Sequence, residues 1–278
     1  MAHGLQTRSL TRRDGTRADD AVAVEEPLEI RVAGETVAIT MRTPGDDAKL
    51  ALGFLYSEGV IRSADDVGSA VHCGRPGEEG YGNVLEVTPA PGAHVVLKRL
   101  DATRRGSITT SACGVCGRQT IDDLLAAAGP VPEGPVLDAG LLTRAVATLG
   151  QGQPLFARTG GVHAAAVLDE RGALLATAED VGRHNAVDKT VGVLLANRLA
   201  PARRTPGSPA VLVVSGRASF EIVHKAAMAH LPVVVSVSAG STLAVDLSQR
   251  LGLTLACFCR GEGFNVMTHP QRLAGLAR

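Results

Sequence analysis

The C-terminal third of the chain alternates continuous apolar runs with amphipathic segments, and this alternation restricts the fold more than any other feature. The runs AVLVVSG, PVVVSVSA and LTLACFC are strand-sized and show no polar alternation. The neighbouring segments AVDKTVGVLLANRL, SFEIVHKAAMAH and STLAVDLSQRLG have helical spacing. Strands that are apolar on both faces are typical of parallel sheets covered by helices. We therefore predict an α/β layer in this part of the chain.

Three short loops, SGRAS, SAGST and CRGEG, follow these strands. In α/β sheets, ligands bind beyond the carboxyl ends of the strands. Glycine lets the backbone of such loops approach a ligand closely. Two of the loops lead directly into helices, whose N-terminal N–H groups attract anions such as phosphate. The sequence thus predicts a ligand site at this edge of the sheet.

The N-terminal part has a mixed, α+β pattern. We expect residues 1–26, which show no periodicity, to be a flexible tail. LEIRVAGETVAITMRT predicts a hairpin around Ala33-Gly34-Glu35, and PGDDAKLALGFLYSEG a helix capped by Asp46 or Asp47. NVLEVTP and HVVLKRL predict two further strands, and RQTIDDLLAAAG a helix.

The segment VPEGP is a candidate linker between two units. We assign residues 27–135 to an N-terminal mixed α/β subdomain that carries a CxxC loop. Residues 136–278 form a second subdomain with the ligand cleft. Its first elements are a helix in DAGLLTRAVATLG and a hairpin in TGGVHAAAVLDERGALLATAEDVG.

Charge and hydropathy exclude several classes of protein. The chain of 278 residues has a formal net charge of zero, which argues against a nucleic-acid binder. No apolar run approaches the roughly 18–20 residues of a membrane span, and no apolar stretch follows Arg12-Arg13 as in a secretory signal. We expect a cytoplasmic protein whose five cysteines are reduced.

Cys113 and Cys116, in SACGVCGRQT, admit several kinds of chemistry. A zinc site needs a second ligand pair, and Cys257-x-Cys259 is one candidate because alternate strand residues face one side. That pair lies in an apolar strand, however, where simple burial is the favoured interpretation. A thioredoxin-like site would follow an early core strand, whereas this motif follows a polar loop. Two cysteines in a polar loop also make poor apolar fillers.

A carrier thiol fits the loop best. Cys116 precedes the helix that begins near Arg118, and Arg104 and Arg105 are nearby in sequence. A helix N-terminus and cationic neighbours lower a thiol pKa and favour the nucleophilic thiolate. Such a thiolate can accept a group at one place and deliver it at another.

A second polar cluster lies in TGGVHAAAV and EDVGRHNAVDK. His163 follows two glycines at a strand start, and His184 and Asp188 are spaced to share a helical face. The cluster is either a polar pocket or an ordinary helix N-terminus, and the sequence leaves both open. A zinc deaminase is excluded, since the H-x-E motif is absent and the CxxC precedes the histidine.

Taken together, the motifs SACGVCG, TGGVHAAA, EDVGRHNAVDK, VSGRASFEIVHKA and FCRGEGFNVMT resemble the FdhD family, the sulfurtransferase accessory proteins of formate dehydrogenase. The resemblance runs from about residue 25 to residue 270. It implies a cytidine-deaminase-like three-layer core with a mixed, partly parallel sheet and without the zinc site. It also implies a homodimer with no bound metal of its own.

The resemblance implies a sulfur carrier. Such proteins accept persulfide sulfur from a cysteine desulfurase and transfer it to the molybdenum bis-guanylyl-dinucleotide cofactor of formate dehydrogenase, Mo-bis(molybdopterin guanine dinucleotide), which is bound as a substrate. Cys113 would be the persulfide carrier, and Cys116 its partner or a second relay site. The implied cofactor-binding residues are Phe258, Cys259, Arg260, Gly261, Glu262, Gly263, Ser215, Gly216, Arg217, His163 and His184.

The implied ligand agrees with the predicted loops, because it carries two pyrophosphates. Glycine-rich loops, helix N-termini and Arg217 or Arg260 are suitable partners for these anions. One alternative is a non-covalent cofactor-binding chaperone, which would use the same cleft without needing a cysteine.

Overall fold

The computed structural model describes residues 4–75, 77–78, 80–93, 95–96, 128–131, 133–199 and 205–276. Helices and strands are numbered along these residues. The strands are β1 Leu5–Thr11, β2 Arg17–Ala23, β3 Glu26–Val32, β4 Glu35–Arg42, β5 Val67–His72, β6 Val84–Pro89, β7 Leu137–Asp138, β8 His163–Asp169, β9 Leu174–Asp180, β10 Pro209–Val214, β11 Val233–Ser236, β12 Thr254–Arg260, β13 Gly263–Thr268 and β14 Leu273–Ala274. The helices are α1 Asp47–Ser57, α2 Gly140–Gln151, α3 Pro154–Thr159, α4 Arg183–Ala196, α5 Phe220–Met228 and α6 Thr242–Leu251.

Some predicted features fall outside these residues. They are Cys113 and Cys116 with their loop, and most of the segments HVVLKRL and RQTIDDLLAAAG. No helix in the described ranges is long and apolar enough to span a membrane.

The N-terminal segment forms a hairpin over residues 5–23, where the sequence led us to expect a flexible tail. Strands β1 and β2 pair antiparallel from Leu5 opposite Ala23 to Thr11 opposite Arg17. Most of their side chains are exposed. Backbone hydrogen bonds and a turn at Gly15, with φ 84°, therefore define the hairpin. Alternating apolar residues identify strands that bury one face. The β1–β2 hairpin buries neither face, so hydrophobic periodicity could not predict it.

The second sheet has the order β4-β3-β6-β5. The predicted β3–β4 hairpin is confirmed, and its turn residues Ala33 and Gly34 both have positive φ, as such two-residue turns require. Helix α1 buries Leu50 and Leu55 against this sheet. Strand β5, which the sequence analysis missed, completes the edge next to β6.

The central sheet has the order β13-β12-β11-β10-β8-β9. Strands β10, β11 and β12 are parallel, while β8, β9 and β13 add antiparallel pairings at the two sides. Helix α2 packs with the core on one face, and α4, α5 and α6 pack on the other. The predicted three-layer α/β core with a mixed, partly parallel sheet is thus confirmed. Strand β13 was not predicted.

Helices α1 and α4 pack so closely where they cross that their backbones are in contact. A methyl group placed on Gly53 would lie 1.8 Å from the Asp188 carbonyl oxygen, and one on Gly192 would lie 1.9 Å from the Lys49 carbonyl oxygen. Only glycine permits this approach. The crossing attaches the helix of the predicted first subdomain directly to the helical layer of the second.

Candidate functional site

The three glycine-rich loops meet at one edge of the central sheet, as the strand order requires. Ser236 Oγ donates a hydrogen bond of 2.8 Å to the carbonyl oxygen of Gly216 in the first loop. The Phe258 amide, at the end of β12, donates to the carbonyl oxygen of Ser238 over 3.0 Å. These bonds connect the ends of β10, β11 and β12 into one continuous surface. Ser215 extends the β10–β8 pairing, since its Oγ accepts from the Ala164 amide at 2.9 Å.

Three helices begin at this edge. Strand β9 runs parallel to β10, so α4, which follows β9, starts beside α5 and α6. Ser241 caps α6 by accepting from the Ala244 amide at 3.2 Å. Among the described residues, Gly182 has no side chain to cap α4, and Ser219 makes no side-chain capping bond for α5. The free N–H groups of these helices give the edge a positive potential that suits an anion.

His163, Arg183 and Gly216 lie together at the centre of this edge. A methyl group on Gly216 would lie 3.3 Å from His163 Nδ1 and 3.6 Å from Arg183 Cδ. Burial lowers the pKa of His163, and the positive charge of Arg183 lowers it further. His163 is therefore a neutral imidazole near neutral pH. The structure thus brings two predicted site residues together and adds Arg183.

His184 contacts the neighbouring helix α5. Its Nε2 lies 2.5 Å from Glu221 Oε2 and 3.2 Å from Ser219 Oγ. His184 is only 7% exposed. It holds the start of α5, and with it the first glycine-rich loop, in place.

Asp188 and Lys225 form a second, buried pair one turn further along the same two helices. Lys225 Nζ lies 2.7 and 2.8 Å from the two carboxylate oxygens of Asp188. The predicted shared face of His184 and Asp188 is therefore confirmed. Their partners Glu221 and Lys225 have the same four-residue spacing, which is the signal in the sequence that could have indicated this pairing.

Other residues of the EDVGRHNAVDK segment join the central sheet to the end of β4 in the second sheet through hydrogen bonds. Lys189 Nζ donates to Asp180 and to the carbonyl oxygen of Thr43, both at 2.7 Å. Asp180 also accepts from the Thr43 amide at 3.1 Å. Asn185 Nδ2 donates to the carbonyl oxygen of Met41 at 2.7 Å. Most polar residues of this motif are structural, and Arg183 is the one that lies among the site residues.

The end of β12 corrects the expectation that Cys257 and Cys259 face one side. Phe258 has φ 55°, and the register to β13 shifts between Cys257 and Arg260. This bulge turns Cys257 into the core beneath α4–α6 and Cys259 into the core on the α2 face. Both thiols are fully buried. Any contact of Cys259 to a ligand would therefore involve its backbone.

Phe258 itself is 49% exposed at the ligand edge. A bulky residue with positive φ is strained, and such strain concentrates at functional positions. The following turn, Arg260–Gly263, is also exposed, and Arg260 Nε donates to the carbonyl oxygen of Val237 at 3.0 Å. Arg217 is exposed in the first loop. The predicted residues of the first and third loops thus line one open surface.

We expect Cys257 and Cys259 to resist alkylation by iodoacetamide at pH 8 in the native protein. Burial raises the pKa of Cys257 to about 11 and that of Cys259 to about 12, so little thiolate exists and neither sulfur is accessible. Peptide mass mapping with and without denaturant measures this, with the half-buried Cys73 as internal reference. Native labelling of both at the rate of Cys73 would contradict it.

No group of three or more histidine, cysteine, aspartate or glutamate side chains within the described ranges is arranged to hold a metal ion. The cysteines in this part of the chain, Cys73, Cys257 and Cys259, are all free thiols.

Comparison with known proteins gives a consistent result. The FdhD/NarQ family model matches residues 23–274. Sulfur carrier protein FdhD of Anaeromyxobacter dehalogenans is 54% identical over 262 residues, covering 94% of this chain and 91% of the relative. The protein of the same name from Nocardia farcinica is 45% identical over 272 residues, covering 96% and 93%. A crystal structure described as a formate dehydrogenase accessory protein from Desulfotalea psychrophila has a TM-score of 0.71 at 25% identity, covering 97% of this chain and 98% of that one.

Proposed function

Because the chain belongs to the FdhD/NarQ family, as its motifs predict, we propose that it is a sulfur carrier for the maturation of formate dehydrogenase. It accepts sulfur from a cysteine desulfurase and transfers it to the molybdenum bis-guanylyl-dinucleotide cofactor. The single observation that supports this best is the convergence of three glycine-rich loops and three helix N-termini on one sheet edge. That edge suits a large ligand with several phosphates.

The sulfur step requires a cysteine, and we assign it to Cys113. The Cys113 thiolate attacks the terminal sulfur of the desulfurase persulfide. A new S–S bond forms on Cys113, the old S–S bond breaks, and the desulfurase cysteine leaves as a thiolate. No external oxidant or reductant is needed, since the sulfane sulfur moves between two thiols. Cys116 is a partner or a second relay site in this scheme.

The ligand edge would bind the guanylyl ends of the cofactor. Phe258 offers an exposed ring on which a purine base can stack, and the exposed Arg217 and Arg260 offer charge to the phosphates. The backbone of Gly261, Glu262 and Gly263 lies in the adjoining turn. The proposal also includes a cytoplasmic homodimer that meets both the desulfurase and formate dehydrogenase.

Intact-protein mass spectrometry after incubation with a cysteine desulfurase and cysteine tests the carrier function. We expect the wild type to gain the mass of one sulfur atom, which dithiothreitol removes because a persulfide is reducible. The variant Cys113→Ala should lose the gain. Cys73→Ala is the matched control and should retain it, because Cys73 lies outside the CxxC motif.

The same experiment separates the two functions that the cleft could serve. An unchanged mass in every variant, with a desulfurase shown to be active, contradicts a sulfur carrier and leaves a chaperone that binds the cofactor without covalent chemistry. A gain that persists in Cys113→Ala and disappears in Cys116→Ala assigns the carrier to the second cysteine.

A further inference from the structure

A cavity of about 310 Å³ lies beside the base of the N-terminal hairpin. Its lining residues come from the start of β1, the loop between β4 and α1, helix α3, the end of β9 and helix α4. Among the described residues that line it, none belongs to the three glycine-rich loops. This volume is at the lower end of the range for small-molecule sites. The cavity therefore suits a molecule much smaller than a dinucleotide cofactor.

One part of the cavity wall is apolar. It is lined by Leu5, Pro44, Pro154 and Leu155. Leu155 packs against the chain just before β1, since a methyl group on Gly4 would lie 3.0 Å from its Cδ2 atom. The proline rings have little freedom to move, which keeps this part of the wall formed. Such a wall favours an aliphatic chain, because each methylene that it removes from water contributes to binding.

Two cations line the same cavity. Lys189 is only 2% exposed, and its ammonium group donates to Asp180 and to the carbonyl oxygen of Thr43, both at 2.7 Å. An ammonium group has three N–H donors, so one remains for an acceptor from outside the described residues. Arg158, in the last turn of α3, is exposed, and its guanidinium can hold a carboxylate through two parallel hydrogen bonds. The cavity thus combines an apolar wall with donors for an anion.

Acidic side chains in the wall limit the charge that this anion can carry. Asp46 and Glu179 line the cavity. Lys49 Nζ donates to Asp46 at 2.7 Å, and Glu179 accepts from the amides of Leu155 and Phe156 at 2.9 and 2.7 Å. These contacts hold both carboxylates in place. Their negative charges repel a dianion, such as a phosphate monoester, more strongly than a monoanion.

We infer that this cavity binds a small monocarboxylate with a short aliphatic chain. Lys189 and Arg158 hold the carboxylate, and the chain lies against Leu5 and Leu155. This inference goes beyond sulfur transfer and does not depend on it, because it involves neither a cysteine nor the glycine-rich loops.

NMR titration of the isotopically labelled protein with acetate, propionate and butyrate tests the cavity. We expect the amide signals of Leu5, Gly45 and Leu155 to shift, and the affinity to rise about three- to fourfold for each added methylene. Butanol has no charge and butylammonium has the opposite charge, so each should bind about tenfold more weakly than butyrate. Propylphosphonate, which is largely a dianion at pH 8, should also bind more weakly than butyrate.

Variants of Arg158 show whether the carboxylate lies at the mouth of the cavity. Arg158→Ala should weaken butyrate binding about 3- to 10-fold and leave butanol binding unchanged, because a charged hydrogen-bond donor is lost at an exposed position. Arg158→Lys keeps the charge and should lose less. Arg144→Ala removes an exposed arginine on α2, away from the cavity, and should change neither affinity.

Several results would overturn the inference while the sulfur-transfer proposal stands. One is the absence of measurable butyrate binding, and another is a set of shifted amides that lies away from the cavity. Equal affinities for butyrate and butanol, or a higher affinity for propylphosphonate, would contradict a monocarboxylate site. Unchanged butyrate affinity in Arg158→Ala would remove the arginine from the site and with it the proposed arrangement.

Discussion

Replacing Gly192 with alanine is expected to lower the free energy of unfolding by about 3 kcal/mol or more. The added methyl group would lie 1.9 Å from the Lys49 carbonyl oxygen and 2.6 Å from the carbonyl carbon. Both atoms belong to the backbone of α1, so no side chain can rotate away and the helices must separate. Typical domains are stable by only about 5–15 kcal/mol, so the loss is severe. The midpoint of urea unfolding measures it.

Gly150→Ala is the matched control for this prediction. Gly150 lies in α2, and among the described residues no neighbouring heavy atom would lie within 4 Å of a methyl group there. Alanine is favoured over glycine in a helix by roughly 0.5–1 kcal/mol, so this variant should be slightly stabilised. Similar unfolding midpoints for the Gly192 and Gly150 variants would show that the α1–α4 crossing can relax.

Replacing Asp188 with asparagine is expected to destabilise the protein by about 3–5 kcal/mol, because it leaves a buried ammonium without its counter-charge. Lys225 is 6% exposed, and Asp188 holds it with both carboxylate oxygens. Burial raises the pKa of Asp188, and the charge of Lys225 opposes this effect. Urea unfolding of Asp188→Asn, Lys225→Met and the double variant forms a thermodynamic cycle that measures the coupling.

The double variant and a surface pair provide the controls. Removing both charges eliminates the unpaired ion, so the double variant should recover most of the loss seen in Asp188→Asn. Asp65 pairs with Arg198 at 3.0 Å, but both side chains are more than 70% exposed, at 73% and 81%. Asp65→Asn should therefore cost less than about 1 kcal/mol. Additive single effects at Asp188 and Lys225 would contradict a coupled pair.

Elements that bury a face could be predicted from the sequence. The runs that became β10, β11 and β12 are apolar at nearly every position, because helices cover both faces of the central sheet. The hairpin of β8 and β9 and the helices α4 to α6 followed from the same reasoning. The hairpin of β1 and β2, and strand β13 at the sheet edge, expose alternate or most side chains. Backbone hydrogen bonds hold these strands, and such bonds do not depend on side-chain hydropathy, so the hydropathy pattern could not predict them.

The site was predictable to the level of loops, but not to the level of individual side chains. Parallel strands end at one edge, so the loops at Ser215 and Phe258 had to meet. The roles within EDVGRHNAVDK were not accessible in this way. Asp188 pairs with Lys225, and Lys189 donates to the carbonyl oxygen of Thr43. These partners are far apart in the sequence, so residue spacing could not predict the contacts.

The sequence by itself determined the family, the α/β core and the edge of the sheet where the glycine-rich loops meet, because these depend on motifs and on periodic burial. Only the tertiary structure decided which polar residues are structural and which remain available. Ion pairs engage three of these side chains, Asp180, Asp188 and Lys189. Arg183 lies among the site residues, and its Nε has no hydrogen-bond partner within the described residues. It also decided that Cys257 and Cys259 face opposite cores, because a left-handed Phe258 breaks the two-residue period of the strand.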